Sequence, residues 1–199
     1  MHRNPRLVIS ILVVLAALLT ASMAMAQAPS PQGPASKPSE KDMHGLMIYG
    51  KGFLIFASEP DGWDANTDAA AREYQSNVVF FPRDPESRKN EVNIRVRLNK
   101  KTTEDPEEDM LADVQGYKKQ YPETKFQPLT IRHPECKTSA KLFYTPGDYY
   151  EYVAYVNPGK QHSLMFSITM SKSRKEATPQ ELAAYEHVLQ SLRLVETSN

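Results

Sequence analysis

The closest set of side chains able to do chemistry is the run HPEC, which places the imidazole of His133, the carboxylate of Glu135 and the thiol of Cys136 within four residues. These are types a metal takes. A working site needs roughly three or four converging ligands and a second shell that orients them, and no matching pair stands at a usable spacing elsewhere in the chain. The expectation is a hydrogen-bonded loop histidine beside a buried cysteine, with no metal and no other cofactor. The sequence also lacks a Gly-x-Ser-x-Gly elbow, an HExxH pair, a phosphate-cradling glycine loop and a dinucleotide fingerprint, so it points away from an enzyme. A hydrolase or metal-dependent enzyme built on His133, Glu135 or Glu151 requires those side chains to meet.

The second unusual stretch is YTPGDYYEYVAY, which carries Tyr144, Tyr149, Tyr150, Tyr152 and Tyr155. Tyrosine suits strands with one wet end, because its ring buries while its hydroxyl keeps a partner. The first reading is a sheet face lying under a helix. The functional alternative is a ligand or partner surface made by Tyr150, Tyr152, Lys141 and Glu151, with Lys141 lying over a ring. Register decides which side chains share a face. If Asn157 and Lys160 close the Pro158–Gly159 turn symmetrically, Val153 faces Leu164 and Glu151 faces Phe166, leaving a carboxylate on an apolar face at a cost of several kcal/mol. A one-residue bulge instead moves Tyr150 and Tyr152 to the side of Leu164 and Phe166 and turns Glu151 outward. The bulge is the expected arrangement; Glu151 buried without a partner would be the first candidate for a functional acid.

These residues must be positioned by strands and two helices. Leu46–Tyr49 and Phe53–Ala57 flank a glycine turn and read as an opening hairpin. Val78–Phe81 and Val92–Leu98 read as strands, the second alternating Val92, Ile94, Val96 and Leu98 with Asn93, Arg95 and Arg97, so one of its faces is polar. Asp105, Pro106 and Glu108 start a helix whose apolar stripe is Met110, Val114, Tyr117 and Tyr121 and which Pro122 stops. Strands follow at about 126–131, 140–145, 149–156 and 162–172, the last three forming a meander whose tight connections are marked by Pro146–Gly147 and Pro158–Gly159. Thr178, Pro179 and Glu181 cap a final helix carrying Leu182, Tyr185, Leu189 and Leu192. The expected class is α+β, with helices over about 105–121 and 179–192 packed on a mainly antiparallel sheet.

Ahead of this domain, LVISILVVLAALLTASMAMA (residues 7–26) follows a basic start and ends in small residues, the layout of a secretory signal peptide cut after Ala26. The other reading is an uncleaved anchor, since the run is long enough to span a bilayer. Residues 27–42, QAPSPQGPASKPSEKD, form a Pro/Ser-rich disordered spacer, and 43–196 makes a single domain. No cysteine near the cut could carry a lipid, and the only thiol, Cys136, cannot form an internal disulfide. The chain has 24 basic and 24 acidic residues, and cleavage removes Arg3 and Arg6. The mature chain is then slightly acidic, which gives no electrostatic reason to expect nucleic acid or anionic lipid as partner. The expected location is periplasmic or secreted, without membrane insertion once the leader is gone.

The chain's one tryptophan, Trp63, sits in the turn PDGW. Pro60 and Gly62 can bend the backbone so that the indole folds under the sheet and buries roughly 200 Å²; sealing the core is the expected role, lining a site the alternative.

The PDGW turn, the strands VVFFP and EVNIRVRL, a capped helix, a meander and the closing helix YEHVLQSLRL together resemble the PsbP-like and DcrB-like proteins over about residues 53–195. The resemblance implies an α/β/α sandwich around a central antiparallel sheet, in a group whose members are mostly non-enzymatic. It brings no functional residues with it. The function expected is that of an exported, non-catalytic envelope protein acting as a binding or assembly accessory through its surface, toward an unidentified envelope protein or small molecule. The alternative is a small-molecule or lipid-binding module with a pocket between sheet and helix.

Overall fold

The computed structural model describes residues 45–88 and 92–196, excepting the side chains of residues 69, 70, 87 and 88. The leader (1–26) and the spacer (27–42) lie outside the described residues. Chain order is β1 (Gly45–Gly50), β2 (Phe53–Ser58), β3 (Trp63–Asn66), α1 (Ala69–Glu73), β4 (Val78–Pro82), α2 (Pro85–Arg88), β5 (Asn93–Lys100), α3 (Pro106–Gln120), β6 (Lys125–Pro128), β7 (Lys137–Thr145), β8 (Tyr149–Asn157), β9 (Leu164–Ser173), α4 (Pro179–Ser191) and β10 (Arg193–Glu196).

Seven strands form one sheet in the order β3-β4-β5-β9-β8-β7-β6, antiparallel throughout, and β1-β2-β10 form a small second sheet. Together with α3 and α4 this is an α+β sandwich. The opening hairpin therefore does not join the main sheet; β10, hidden in the sequence behind the last helix, pairs with β2 and holds it.

Alternation sorts the main sheet into two unlike faces. Ile94 and Val96 of β5, Tyr150, Tyr152, Ala154 and Val156 of β8, and Phe166, Ile168 and Met170 of β9 pack with Tyr185, Val188 and Leu189 of α4 and with Ile55 and Leu194 of the small sheet. On the other face a much smaller cluster, Phe143 and Val153, meets Met110 and Val114 of α3. Both helices begin where their capping residues place them. The Asp105 side chain accepts from the Glu107 backbone N–H, with Pro106 in the first turn, and Thr178 and Glu181 form a reciprocal capping box.

Trp63 is 6% exposed and belongs to the large core. The turn that delivers it is a type II turn closed by Trp63 N–H donating to the Pro60 carbonyl at 3.0 Å, with Gly62 at φ +78° in the position that demands a left-handed residue. Pro60 is itself buried. The indole thus seals the end of the core at the edge strand β3.

The face assignment expected for β8 holds, but its connection does not. Tyr152 lies opposite Met170 and Glu151 opposite Ser171, so Tyr150 and Tyr152 share a face with Phe166. No bulged two-residue turn achieves this; residues 158–163 form a six-residue loop instead. The Asn157 side chain accepts from Gly159 N–H and donates to Glu104, tying the loop down. By contrast Pro146–Gly147 does make a tight turn, closed by Asp148 N–H to Thr145 O at 3.0 Å.

Candidate functional site

The polar face of β5 is where the two layers part. α3 lies over β7 and β8, leaving Arg95, Arg97 and Asn99 of β5 and Ser167, Thr169 and Ser171 of β9 on a sheet face that α3 only flanks. The result is a cleft of about 380 Å³ between α3 and these strands. Its sheet wall carries Arg95 and Arg97, its helix wall carries Asp109, Asp113 and Tyr117, and Glu151 and Tyr155 of β8 lie between them.

Glu151 is the centre of a hydrogen-bonded group. One carboxylate oxygen accepts from Arg95 Nη2 at 3.0 Å and from the Ser171 hydroxyl at 3.1 Å; the other accepts from the Tyr117 hydroxyl. Arg95 Nη2 also meets Ser171 Oγ. The Glu151 and Arg95 side chains are 16% and 25% exposed, so the ion pair is shielded without being sealed. Glu151 is therefore partnered, and the condition that would have made it a lone functional acid is not met. Burial, with the adjacent Glu151 charge, pushes the Tyr117 phenol far above its ordinary range, so Tyr117 acts as a donor and not as an acid at neutral pH.

Beside this group, Tyr155 donates to Asp113 at 2.6 Å. Burial raises the Asp113 carboxyl above its usual range against the pull of that bond. Asp109 accepts from the Thr102 hydroxyl through one oxygen, while its Oδ2 is buried without a hydrogen-bond partner among the described residues; Arg95 Nε is buried in the same condition, and neither atom is open to the cleft. Among the described residues Arg97 donates only to the Tyr74 carbonyl, at 3.3 Å. The Arg95 guanidinium lies 6.0 Å from the centre of the Tyr74 ring, which lines a second hollow of about 710 Å³ on the far side of Arg95.

The residues singled out in the sequence divide between the faces. Tyr150 and Tyr152 are 8% and 3% exposed, within the core beneath α4; Tyr150 stacks on Tyr144, and the Tyr152 hydroxyl accepts from Ala177 N–H. Lys141 belongs to the α3 face, where its ammonium binds Glu107 at 2.6 Å and not an aromatic ring. Only Glu151 reaches the cleft. The four do not form one surface, because odd and even positions of a strand point to opposite sides: the odd-numbered neighbours Glu151 and Tyr155 are the ones that face the opening.

His133 is buried and fully occupied. Its Nδ1 accepts from the N–H groups of Glu135 and Cys136 at 3.1 Å each, which assigns the proton to Nε2, 3.0 Å from Leu192 O and 2.9 Å from Arg193 Nη1. Burial lowers its pKa and raises that of the Cys136 thiol. Glu135 reaches Arg193 at 3.3 Å. This imidazole is a staple between the β6–β7 loop and the end of α4. Among the described residues no cluster of His, Cys, Asp and Glu is placed to hold a metal ion. His133 binds the segment after α4, whereas Glu151 faces α3, so the enzyme constellation of His133, Glu135 and Glu151 does not assemble.

No family model matches this chain, and neither does any curated protein sequence. Among solved structures it is similar to a variant of the protein Mog1, with a TM-score of 0.47 and 14% identity over 77% of this chain and 96% of that one. It is similar also to LpqN, described as involved in cell envelope biogenesis of Mycobacterium tuberculosis, with a TM-score of 0.46 and 14% identity over 79% of this chain and 94% of that one. What the cleft of this chain can do follows from its own residues.

Proposed function

We propose that this chain is an exported, non-catalytic binding protein that holds a small polar ligand in the cleft between α3 and the sheet. The observation that carries the reading is the asymmetry of the two faces: the α4 side is closed by apolar packing, while the α3 side keeps a lined opening of about 380 Å³, within the size range of small-molecule sites. The lining argues against a lipid chain, which would strand Arg97, Asp109 and Asp113 in an apolar contact. The leader supports export, and the PsbP-like and DcrB-like resemblance supports a non-enzymatic role. Among the described residues no helix is long and apolar enough to cross a membrane.

A second reading, an assembly accessory acting through its surface, has its own observation. Met47, Tyr49 and Val195 are 52%, 75% and 46% exposed, and register puts them with Leu54 and Phe56 on the outer face of the small sheet, an apolar face of the kind used in protein contacts.

The test is native mass spectrometry of the chain expressed from its full sequence and purified without detergent. A bound small molecule that is lost in Asp109→Asn or Arg97→Gln supports the cleft. A chain that carries no small molecule but brings a second protein with it, released by Tyr49→Ser, moves the function to the outer face of the small sheet and overturns the cleft reading.

A further inference from the structure

The cleft has two unlike ends. On the sheet side Arg97 has no carboxylate partner among the described residues, and Arg95 Nε is a buried donor without an acceptor. On the helix side Asp109 Oδ2 is a buried acceptor without a donor, and Asp113 is satisfied by a single neutral hydroxyl. Buried polar atoms are nearly always paired, and each orphan costs free energy until something meets it. The side chains that carry them, Arg95 and Asp109, have opposite sign and line one opening with Arg97 and Asp113, although the two orphan atoms themselves are shut off from it. The Glu151–Arg95 pair is internally neutral, so the charges left for a guest are cationic on β5 and anionic on α3.

We infer that the ligand is a small zwitterion, whose acidic group is taken by Arg97 and whose ammonium is taken by Asp109 and Asp113. The inference rests on the cleft reading above and narrows it to a chemical class. A singly charged guest meets one end and leaves the charge at the other uncompensated, which is the situation in which a polar site discriminates most strongly between near-isosteres. An ammonium beside Asp113 also gives that carboxylate the positive neighbour its burial calls for. An α-amino acid, an ω-amino acid or a short peptide terminus has this chemistry; a sugar, an acyl chain or an inorganic anion does not.

The experiment titrates the ¹⁵N-labelled full chain with ω-amino acids of increasing length, and with alkylammonium and carboxylate ions matched to each. The readouts are the Arg97 Nε–Hε resonance and the backbone amide of Asp109. One ω-amino acid should move both signals along a single isotherm and bind at least about tenfold tighter than either matched ion, a difference equivalent to about 1.4 kcal/mol. In Asp109→Asn that preference over the carboxylate should disappear while the Arg97 signal still responds. Equal binding by a singly charged ion overturns the zwitterion assignment and leaves the cleft as a site. A chain that carries a native small molecule yet shows no response to any ω-amino acid also overturns the assignment. No response together with no native ligand overturns both readings.

Discussion

Helices α3 and α4 lie on opposite faces of one sheet, start with similar capping chemistry and are held there by different forces. α4 buries Ala184, Tyr185, Val188 and Leu189, followed by Leu192 at 1% exposure, and the Tyr185 hydroxyl donates to Ile168 O at 3.1 Å inside the core. α3 buries only Pro106, Met110 and Val114. The Tyr117 ring packs edge-on against Phe143, and the other attachments are polar: Glu107 to Lys141 and Ser139, Asp105 to Lys137 at 2.7 Å, Asp113 to Tyr155, and the Tyr117 hydroxyl to Glu151. Full burial of a large apolar side chain contributes about 1.5–3 kcal/mol, whereas an exposed ion pair contributes about 0–1 kcal/mol. α4 closes its face and α3 clamps onto its own, and a clamp leaves room for a cleft where a seal does not.

Removing the large core side chain from each helix gives the largest difference. Tyr185→Ala should cost about 3–5 kcal/mol and lower the cooperative denaturant midpoint of the whole domain. Met110→Ala should cost about 2–3 kcal/mol, and hydrogen exchange should show the loss concentrated in α3 amides with those of β5 and β9 still protected. Equal, global losses from both would mean that α3 is as integral to the core as α4.

The Glu151 group sharpens the comparison next. Glu151→Leu leaves Arg95 without its carboxylate and Tyr117 without its acceptor. A buried pair broken this way costs about 3–5 kcal/mol; with both side chains partly exposed the expected loss is about 2 kcal/mol. Arg95→Leu in the same background should recover part of it, with a coupling of at least about 0.5 kcal/mol in a double-mutant cycle. Strict additivity would show that Glu151 and Arg95 are not coupled and that the pair adds nothing to the anchor on which Tyr117 of α3 rests.

Acid should then separate the helices. Hydrogen bonds from Lys141 and Ser139 hold the Glu107 carboxyl below its usual range, Lys137 does the same for Asp105, and Asn157 with Lys101 for Glu104. Lowered folded pKa values mean stabilisation that is complete above the unfolded carboxylate values of about 4 and is lost as pH falls through the folded ones. Below about pH 4, hydrogen exchange in α3 should rise before that in α4, whose capping Glu181 is the only acid in its first turn. A simultaneous rise would remove the distinction between clamp and seal.

Much of this asymmetry was legible in the sequence, in pieces. Both capping motifs, the alternation of Arg95 and Arg97 with apolar residues, and the outward turn of Glu151 were readable because they depend on local spacing. β3 and β10 were not, since four-residue strands are defined by their partners: WDAN by pairing with β4, and RLVE by pairing with β2, far away in the chain. A pocket between sheet and helix was the alternative expectation, but its lining was not readable, for a similar reason. Tyr117 and Val114 read alike as an apolar stripe, and both do pack on the small apolar cluster; only the register of β8 under α3 shows that the Tyr117 hydroxyl also meets Glu151. The selection of Tyr150 and Tyr152 followed composition, where strand parity already assigned the opening to Glu151 and Tyr155.

Asp113 gives the smallest effect and the one with the opposite sign. Its carboxyl is raised by burial, so its contribution to stability is present below the unfolded value and is lost as pH rises through the folded one. At neutral pH the folded chain therefore carries an ionised group it would hold more easily neutral. Asp113→Asn keeps an oxygen to accept the Tyr155 hydroxyl and removes the charge. The melting temperature of the variant should match or slightly exceed the wild type near neutral pH, and the advantage should vanish in acid, where the wild-type carboxyl is protonated. A loss above about 1 kcal/mol at neutral pH would show that the charge-assisted bond to Tyr155 outweighs the burial. Asp113 would then belong to the clamp that holds α3, and its carboxylate would be a fixed structural charge in the wall of the cleft.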